Sequence, residues 1–249
     1  MILHQPKSNV PNGPHHLPSV LATDLDGTLI PLEGHPQHAL DLRIIEAELA
    51  RRHMTLMFVT GRHLSSILTA IDTAQLPLAD WIVGDVGTSI YRRSAKANET
   101  GVAKIERPDG KRVQYEPLAE YATHLQQLVG EFTVARLAES LEELRADKSL
   151  ETLRLQESAK QGPFKLSYYI DDEQLQAAQV AITQRVDELQ APYTLIVSRD
   201  PFNGDGLVDL LPKDVSKAHA ITWWAEQQRI ERDEIIYACL LYTSPSPRD

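Results

Sequence analysis

The sequence contains one cysteine, Cys239, so no disulfide can form within the chain. It contains no apolar run of the roughly 18 residues that a membrane-spanning helix needs, and its start lacks the apolar stretch of a signal peptide. A cytoplasmic protein with no membrane partner is therefore expected. Basic residues are in deficit, with 25 Lys and Arg against 35 Asp and Glu and a net charge of -10. Nucleic-acid surfaces depend on clustered Lys and Arg, so no nucleic-acid partner is expected. Neither a Gly-x-Ser-x-Gly elbow nor a Gly-x-Gly-x-x-Gly turn occurs, which removes the serine-hydrolase and dinucleotide readings. What remains is a 249-residue chain with ample length for a real core. Such an acidic protein can still bind a phosphate ester locally, through a metal and one or two placed lysines.

The organising stretch is Ser19 to Leu29. Val20, Leu21 and Ala22 make a short apolar run with the character of a buried parallel strand, ending in Asp24 and Asp26, after which Gly27 and Thr28 turn the chain. Open α/β sheets carry their clefts beyond the carboxyl ends of the strands, which puts both carboxylates at the floor of a site. One ionised Asp can attack an electrophile while the other moves a proton. Their joint charge suits Mg2+, a hard cation that takes oxygen ligands.

Thr55 to Thr60 is a second apolar strand, ending in Thr60-Gly61-Arg62 about 35 residues after the first motif, as a βαβ unit requires. The Thr60 hydroxyl at that strand end is placed either to bind a phosphoryl oxygen or to cap the following helix. Arg62 either approaches a substrate or pairs on that helix. Trp81 to Asp85 is a third strand, and Asp85 either faces the cleft mouth or closes a turn. Near the other end, Val208 to Leu211 reads as a short strand returning to the core, followed by a helix whose first turn holds Lys217. A cation there opposes the helix macrodipole unless an anion lies opposite, and two aspartates and a phosphate would supply one. Lys213 competes for that role from the preceding loop.

Asp24-Leu25-Asp26-Gly27-Thr28-Leu29 resembles the first motif of the haloacid dehalogenase superfamily of phosphatases, Thr60 matches the second motif, and Asp209 to Ala218 matches the third through Lys217. Val59 to Leu64 and Gly84 to Tyr91 resemble the sucrose-phosphate phosphatase branch in particular. The resemblance implies a doubly wound, mostly parallel, Rossmann-like α/β core with an inserted α+β cap. Within it Asp24 is the nucleophile, Asp26 the general acid and base, and Thr60 and Lys217 stabilise the phosphoryl group. Mg2+ is held by Asp24 and by the Asp26 carbonyl. Substrate contacts are expected from Gly61, Arg62, Asp85 and Lys165, and Asn203, in the Gly-rich turn Asn203 to Gly206, is either such a contact or part of a plain hairpin loop.

Lys165 lies on a predicted strand, Phe164 to Asp171, whose Lys165, Ser167, Tyr169 face is either a plain solvated surface or, as in the family's similar strand, turned to the sugar. The domains expected are a flexible leader at 1–18, a discontinuous core at 19–91 and 198–238, and a cap at 92–197. Residues 239–249 stand where the family has its acidic Gly-Asp-x-x-Asn-Asp motif. They translate a library-adapter sequence, so they are read as an artefact, and low or no turnover is expected of the chain as written. The implied substrate is a sugar phosphate, first sucrose 6-phosphate, with mannosyl or trehalose phosphate as alternatives. A non-catalytic sugar-phosphate-binding module attached to a glycosyltransferase, with the leader as a linker, is the reading from a different class, and a phosphomutase is a third.

Overall fold

The computed structural model describes residues 17–31, 34–94, 103–106, 112–144, 150–200 and 204–239. The expectations placed on most of the leader, on Asn203 and on nearly all of the tail lie outside these residues.

Strands β1 (Val20–Thr23), β2 (Thr55–Val59) and β3 (Trp81–Gly84) run parallel, and β11 (Ile235–Ala238) joins β1 from the other side, also parallel. The residues of β1, β2 and β3 are almost continuously apolar and mostly buried, leaving little face to be written in polar residues, whereas β11 leaves Ile236 and Tyr237 exposed. Helix α1 (His38–Arg52) makes the crossover from β1 to β2 and buries Leu42 and Leu49, and α2 (Leu64–Thr73) follows β2 and buries Leu64, Ile67, Ala70 and Ile71. Helix α6 (Lys217–Gln228) packs on β3, where Trp224 meets Trp81 edge-on with ring centroids 5.5 Å apart. The parallel strands therefore end together along one edge, and the chemistry-bearing motifs stand on that edge.

The inserted region divides differently from the expected boundaries of 92 and 197. Strands β4 (Ser89–Ser94), β5 (Ala103–Glu106) and β6 (Arg112–Pro117) extend the first sheet, giving seven strands in the order β11-β1-β2-β3-β4-β6-β5. The chain folds back from β3 into β4 as a hairpin, with Gly84 opposite Ser89, so it does not leave the sheet at residue 92. A second, antiparallel sheet holds β7 (Arg154–Leu155), β8 (Leu166–Ile170), β9 (Tyr193–Arg199) and β10 (Gly206–Pro212) in the order β7-β8-β10-β9. Val208 to Leu211, read from sequence as a core strand, thus belongs to this second sheet. Its pairing with β9 begins at Gly206 opposite Arg199, and a connection this short allows an antiparallel hairpin but not a parallel crossover. The helices of the insertion are α3 (Ala119–Val129), α4 (Val134–Leu144) and α5 (Asp172–Glu188).

Candidate active site

Asp24 follows the last residue of β1, its amide donating to the Ala238 carbonyl of β11 at 2.9 Å. Its Oδ1 accepts from the Leu25 amide at 2.8 Å, and its Oδ2 receives Lys217 Nζ at 3.0 Å across 193 residues of sequence. Both side chains are part-buried, Asp24 more deeply than Lys217. The anion that Lys217 requires at the start of α6 is therefore the Asp24 carboxylate, and Ser216 caps the helix by accepting from the His219 amide. Lys213 is exposed in the loop before the helix. The Cys239 thiol lies 3.7 Å from Asp24 Oδ2.

Asp26 is held by Arg62, with Nε donating to Oδ2 at 2.8 Å and Nη2 to Oδ1 at 2.6 Å. These hydrogen bonds raise the guanidinium's affinity for its proton further. The expected alternatives for Arg62 were a substrate contact or a pairing on α2. Its carboxylate partner in the structure lies instead in the first motif, with a weaker contact to Ser66 Oγ at 3.3 Å in α2. Thr60 is 1% exposed, and its hydroxyl oxygen accepts from the Arg62 amide at 3.2 Å. That leaves its O–H hydrogen to donate. The cap of α2 is His63, which accepts from the Ser66 amide. Burial lowers the His63 pKa, so its imidazole favours the neutral form that can accept there.

The turn between β3 and β4 locks these pieces together. Asp85, Val86 and Gly87 have φ of 51, 60 and 101 degrees, a left-handed run that a β-branched residue such as Val86 rarely enters. The Asp85 amide donates to the Arg62 carbonyl at 2.9 Å and the Val86 amide to the Thr60 carbonyl at 3.3 Å, so the turn is stitched to the Thr60-Gly61-Arg62 loop. On its other side Gly87 touches the backbone of Ser216 and Lys217 so closely that an added Cβ would stand 2.3 Å from the Ser216 carbonyl oxygen. Tyr121 of α3 donates to the Gly87 carbonyl at 2.7 Å. Sequence reading missed this role, although the two glycines of Gly84-Asp85-Val86-Gly87 were its visible signal.

Asp85 both closes the turn and faces the insertion, so the two alternatives left by the sequence are not exclusive. Its Oδ2 accepts from Ser89 Oγ at 2.9 Å, and its Oδ1 lies 3.7 Å from Lys165 Nζ, an ion pair beyond hydrogen-bond reach. The side chains are 13% and 5% exposed. Burial pushes the Asp85 pKa up, and Lys165 and Ser89 oppose that shift. The Lys165 face is thus not a plain solvated surface, since Ser167 on the same side is fully buried and hydrogen-bonds Asp209. Between the two sheets, a cavity of about 380 Å3 is lined by His63, Asp85, Tyr91, Tyr121, Gln161 and Phe164 among others.

Asp24 and Asp26 offer only oxygen donors, which suits Mg2+ over softer metals. Among the described residues no group of three or more His, Cys, Asp and Glu side chains converges. The set fits Mg2+ in the usual partial way, in which one or two carboxylates hold an ion whose other positions go to substrate phosphate and water. Among the described residues no helix is long and apolar enough to cross a membrane.

A family model described as sucrose-6F-phosphate phosphohydrolase matches residues 17–129 and 110–239. A putative HAD-like hydrolase of Nitrosococcus oceani is 34% identical over 224 residues, covering 88% of this chain and 53% of the relative, so the chain spans about half of that protein. The mannosylfructose-phosphate phosphatase of Agrobacterium fabrum is 25% identical, with 87% of this chain and 73% of the relative covered. A glucosylglycerol-phosphate synthase of Pseudomonas anguilliseptica is 42% identical over 71 residues, 28% of this chain and 9% of the relative. Among solved structures, a Synechocystis sucrose-phosphatase in complex with sucrose and phosphate superposes with a TM-score of 0.62 at 22% identity, covering 89% of this chain and 75% of that one. A haloacid dehalogenase-like hydrolase from Bacillus subtilis gives 0.55 at 16% identity, covering 90% and 75%.

Proposed function

The chain belongs to the sucrose-6F-phosphate phosphohydrolase family, and from that premise we propose that it hydrolyses the phosphomonoester of a sugar phosphate. The observation that carries the reading is the Lys217 ammonium on the Asp24 carboxylate, with Asp26 two residues further on beyond the end of β1. A lysine in that place lies against the nucleophile and offers a positive charge to the transferring group. Asp24 attacks phosphorus in line, forming an aspartyl-phosphate as the bond to the sugar oxygen breaks. Asp26 delivers a proton to the leaving alkoxide, then takes one from the water that attacks phosphorus and restores the Asp24 carboxylate. The Thr60 hydroxyl and Lys217 stabilise the phosphoryl oxygens as charge shifts. Mg2+, held by Asp24 and the Asp26 carbonyl, would supply further neutralisation of phosphoryl charge.

Sucrose 6-phosphate is the first substrate in this proposal, supported by the family match and by Asp85, which lines the cavity between the sheets and pairs with Lys165. A mannosyl or trehalose phosphate is the alternative, favoured to the extent that the chain resembles the Agrobacterium phosphatase. Association with a glycosyltransferase is the second reading, motivated by the 71-residue match to a sugar-phosphate synthase.

The test is Mg2+-dependent phosphate release from a sugar-phosphate panel, by the chain and by a version whose residues 239–249 are replaced with a Gly-Asp-x-x-Asn-Asp ending. Release led by sucrose 6-phosphate and abolished by Asp24→Asn is the expected result. A folded protein that releases nothing in either form puts the binding-module reading first.

A further inference from the structure

Each carboxylate after β1 has its own cation, and the two arrangements differ in kind. Lys217 meets one oxygen of Asp24 at a single point. Arg62 meets both oxygens of Asp26, a two-point fork in which guanidinium and carboxylate match. In the proposed reaction Asp26 must direct an oxygen first at the leaving group and then at water. The fork takes one acceptor site on each oxygen and fixes the direction of the carboxylate. A protonated Asp26 could not keep both bonds, so the arrangement with the fork intact is not the one that delivers a proton.

The surroundings locate what can move. The Arg62 backbone is fixed at both ends, its amide on Thr60 Oγ1 and its carbonyl on the Asp85 amide. The side chains of Arg62 and Asp26 are 30% and 36% exposed, so the fork lies open to a ligand while the loop beneath it does not yield. Any rearrangement is therefore confined to side-chain torsions. A phosphate group bears up to two charges and three strong acceptor oxygens, against one charge and two oxygens for a carboxylate. It competes for the guanidinium on favourable terms.

We propose that Arg62 is an exchange residue, which holds Asp26 until a substrate arrives and then transfers to its phosphate, releasing Asp26 for proton transfer. The inference rests on the phosphatase reading. It makes phosphate binding and activation of the acid and base one event, so that a sugar lacking phosphate leaves Asp26 held. It also accounts for the pairing of each carboxylate with its own cation.

The test uses the full chain with inorganic phosphate as the probe, following the side-chain Nε–H resonance of Arg62 by NMR and solving the phosphate-bound structure. The expected result is a shift of that resonance on phosphate addition, with Arg62 on the phosphate and Asp26 free of it. Phosphate bound with the fork intact overturns the exchange and leaves the phosphatase reading standing. Failure of phosphate to bind overturns the exchange, and the phosphatase reading then stands or falls on phosphate release in the sugar-phosphate panel.

A second measurement is kinetic, on the form that turns over. Loss of one charge-assisted contact to phosphate in Arg62→Gln should raise KM by about tenfold or more, with kcat within about threefold because Asp26 is already free. Should Arg62 instead orient Asp26 in the reacting complex, kcat would fall at unchanged KM, and the exchange would be wrong.

Discussion

Gly87→Ala tests the contact that joins the β3–β4 turn to Lys217. A Cβ at position 87 would stand 2.3 Å from the Ser216 carbonyl oxygen, 2.4 Å from its carbonyl carbon and 2.7 Å from the Lys217 nitrogen. All three are backbone atoms, so no side chain can swing away, and the φ of 101 degrees adds strain for any residue with a Cβ. Left-handed strain costs about 1–2 kcal/mol, and overpacking a rigid contact about 1–3 kcal/mol. A loss of roughly 2–5 kcal/mol is therefore expected on adding these two ranges. The Ser216–Lys217 peptide must also retreat from the turn, carrying Lys217 away from Asp24, and in the proposed reaction a misplacement of about 1 Å at Lys217 would cost about a hundredfold in rate. The assay is urea unfolding followed by tryptophan fluorescence, with Gly61→Ala as the internal control. There the nearest atom to an added Cβ is Val86 Cγ2 at 3.8 Å, an ordinary contact. Equal stability of the two variants would refute the reasoning, because it would mean that the turn does not bear on the start of α6.

Two further outcomes follow from buried polar groups. Asp85→Asn leaves Lys165 charged and buried without its partner, at a cost of about 3 kcal/mol, whereas adding Lys165→Met should return most of it. An additive double mutant in urea titrations would mean that the pair is not coupled. His124 of α3 and His219 of α6 share one Nε2–Nε2 hydrogen bond at 3.0 Å, and burial, with His124 next, lowers the His219 pKa. The unfolded chain then binds more protons than the folded one just below the ordinary histidine pKa, so stability should fall as pH drops from about 7 through 6. In His219→Gln that slope should flatten, with Asp214 and Glu226, the charges that favour the protonated form, left in place. An unchanged slope would assign the acid sensitivity to other groups, His63 among them.

Much of the site was readable because its information is local. An apolar run too short for a helix, ending in Asp-x-Asp or in Thr-Gly, marks a strand end, and in a parallel sheet strand ends share one edge. This places Asp24, Asp26 and Thr60 near one another before any coordinate is known. Lys217 was legible for a related reason, since a cation in the first turn of a helix implies an anion facing it.

Arg62 shows where that reasoning stops. Its neighbours in sequence made a partner on α2 equally reasonable, and only the packing of the second loop against the first shows that Asp26 receives the guanidinium. The sequence by itself determined the βαβ frame, the strand-end carboxylates and the lysine at the start of α6, because periodicity and helix electrostatics act within a few residues. Tertiary structure alone decided that β4, β5 and β6 extend the first sheet and that β10 joins the second, and it alone paired Asp85 with Lys165 across 80 residues. The physical reason is that strand pairing and buried ion pairs depend on which surfaces meet after loop closure, and no short window of residues encodes that.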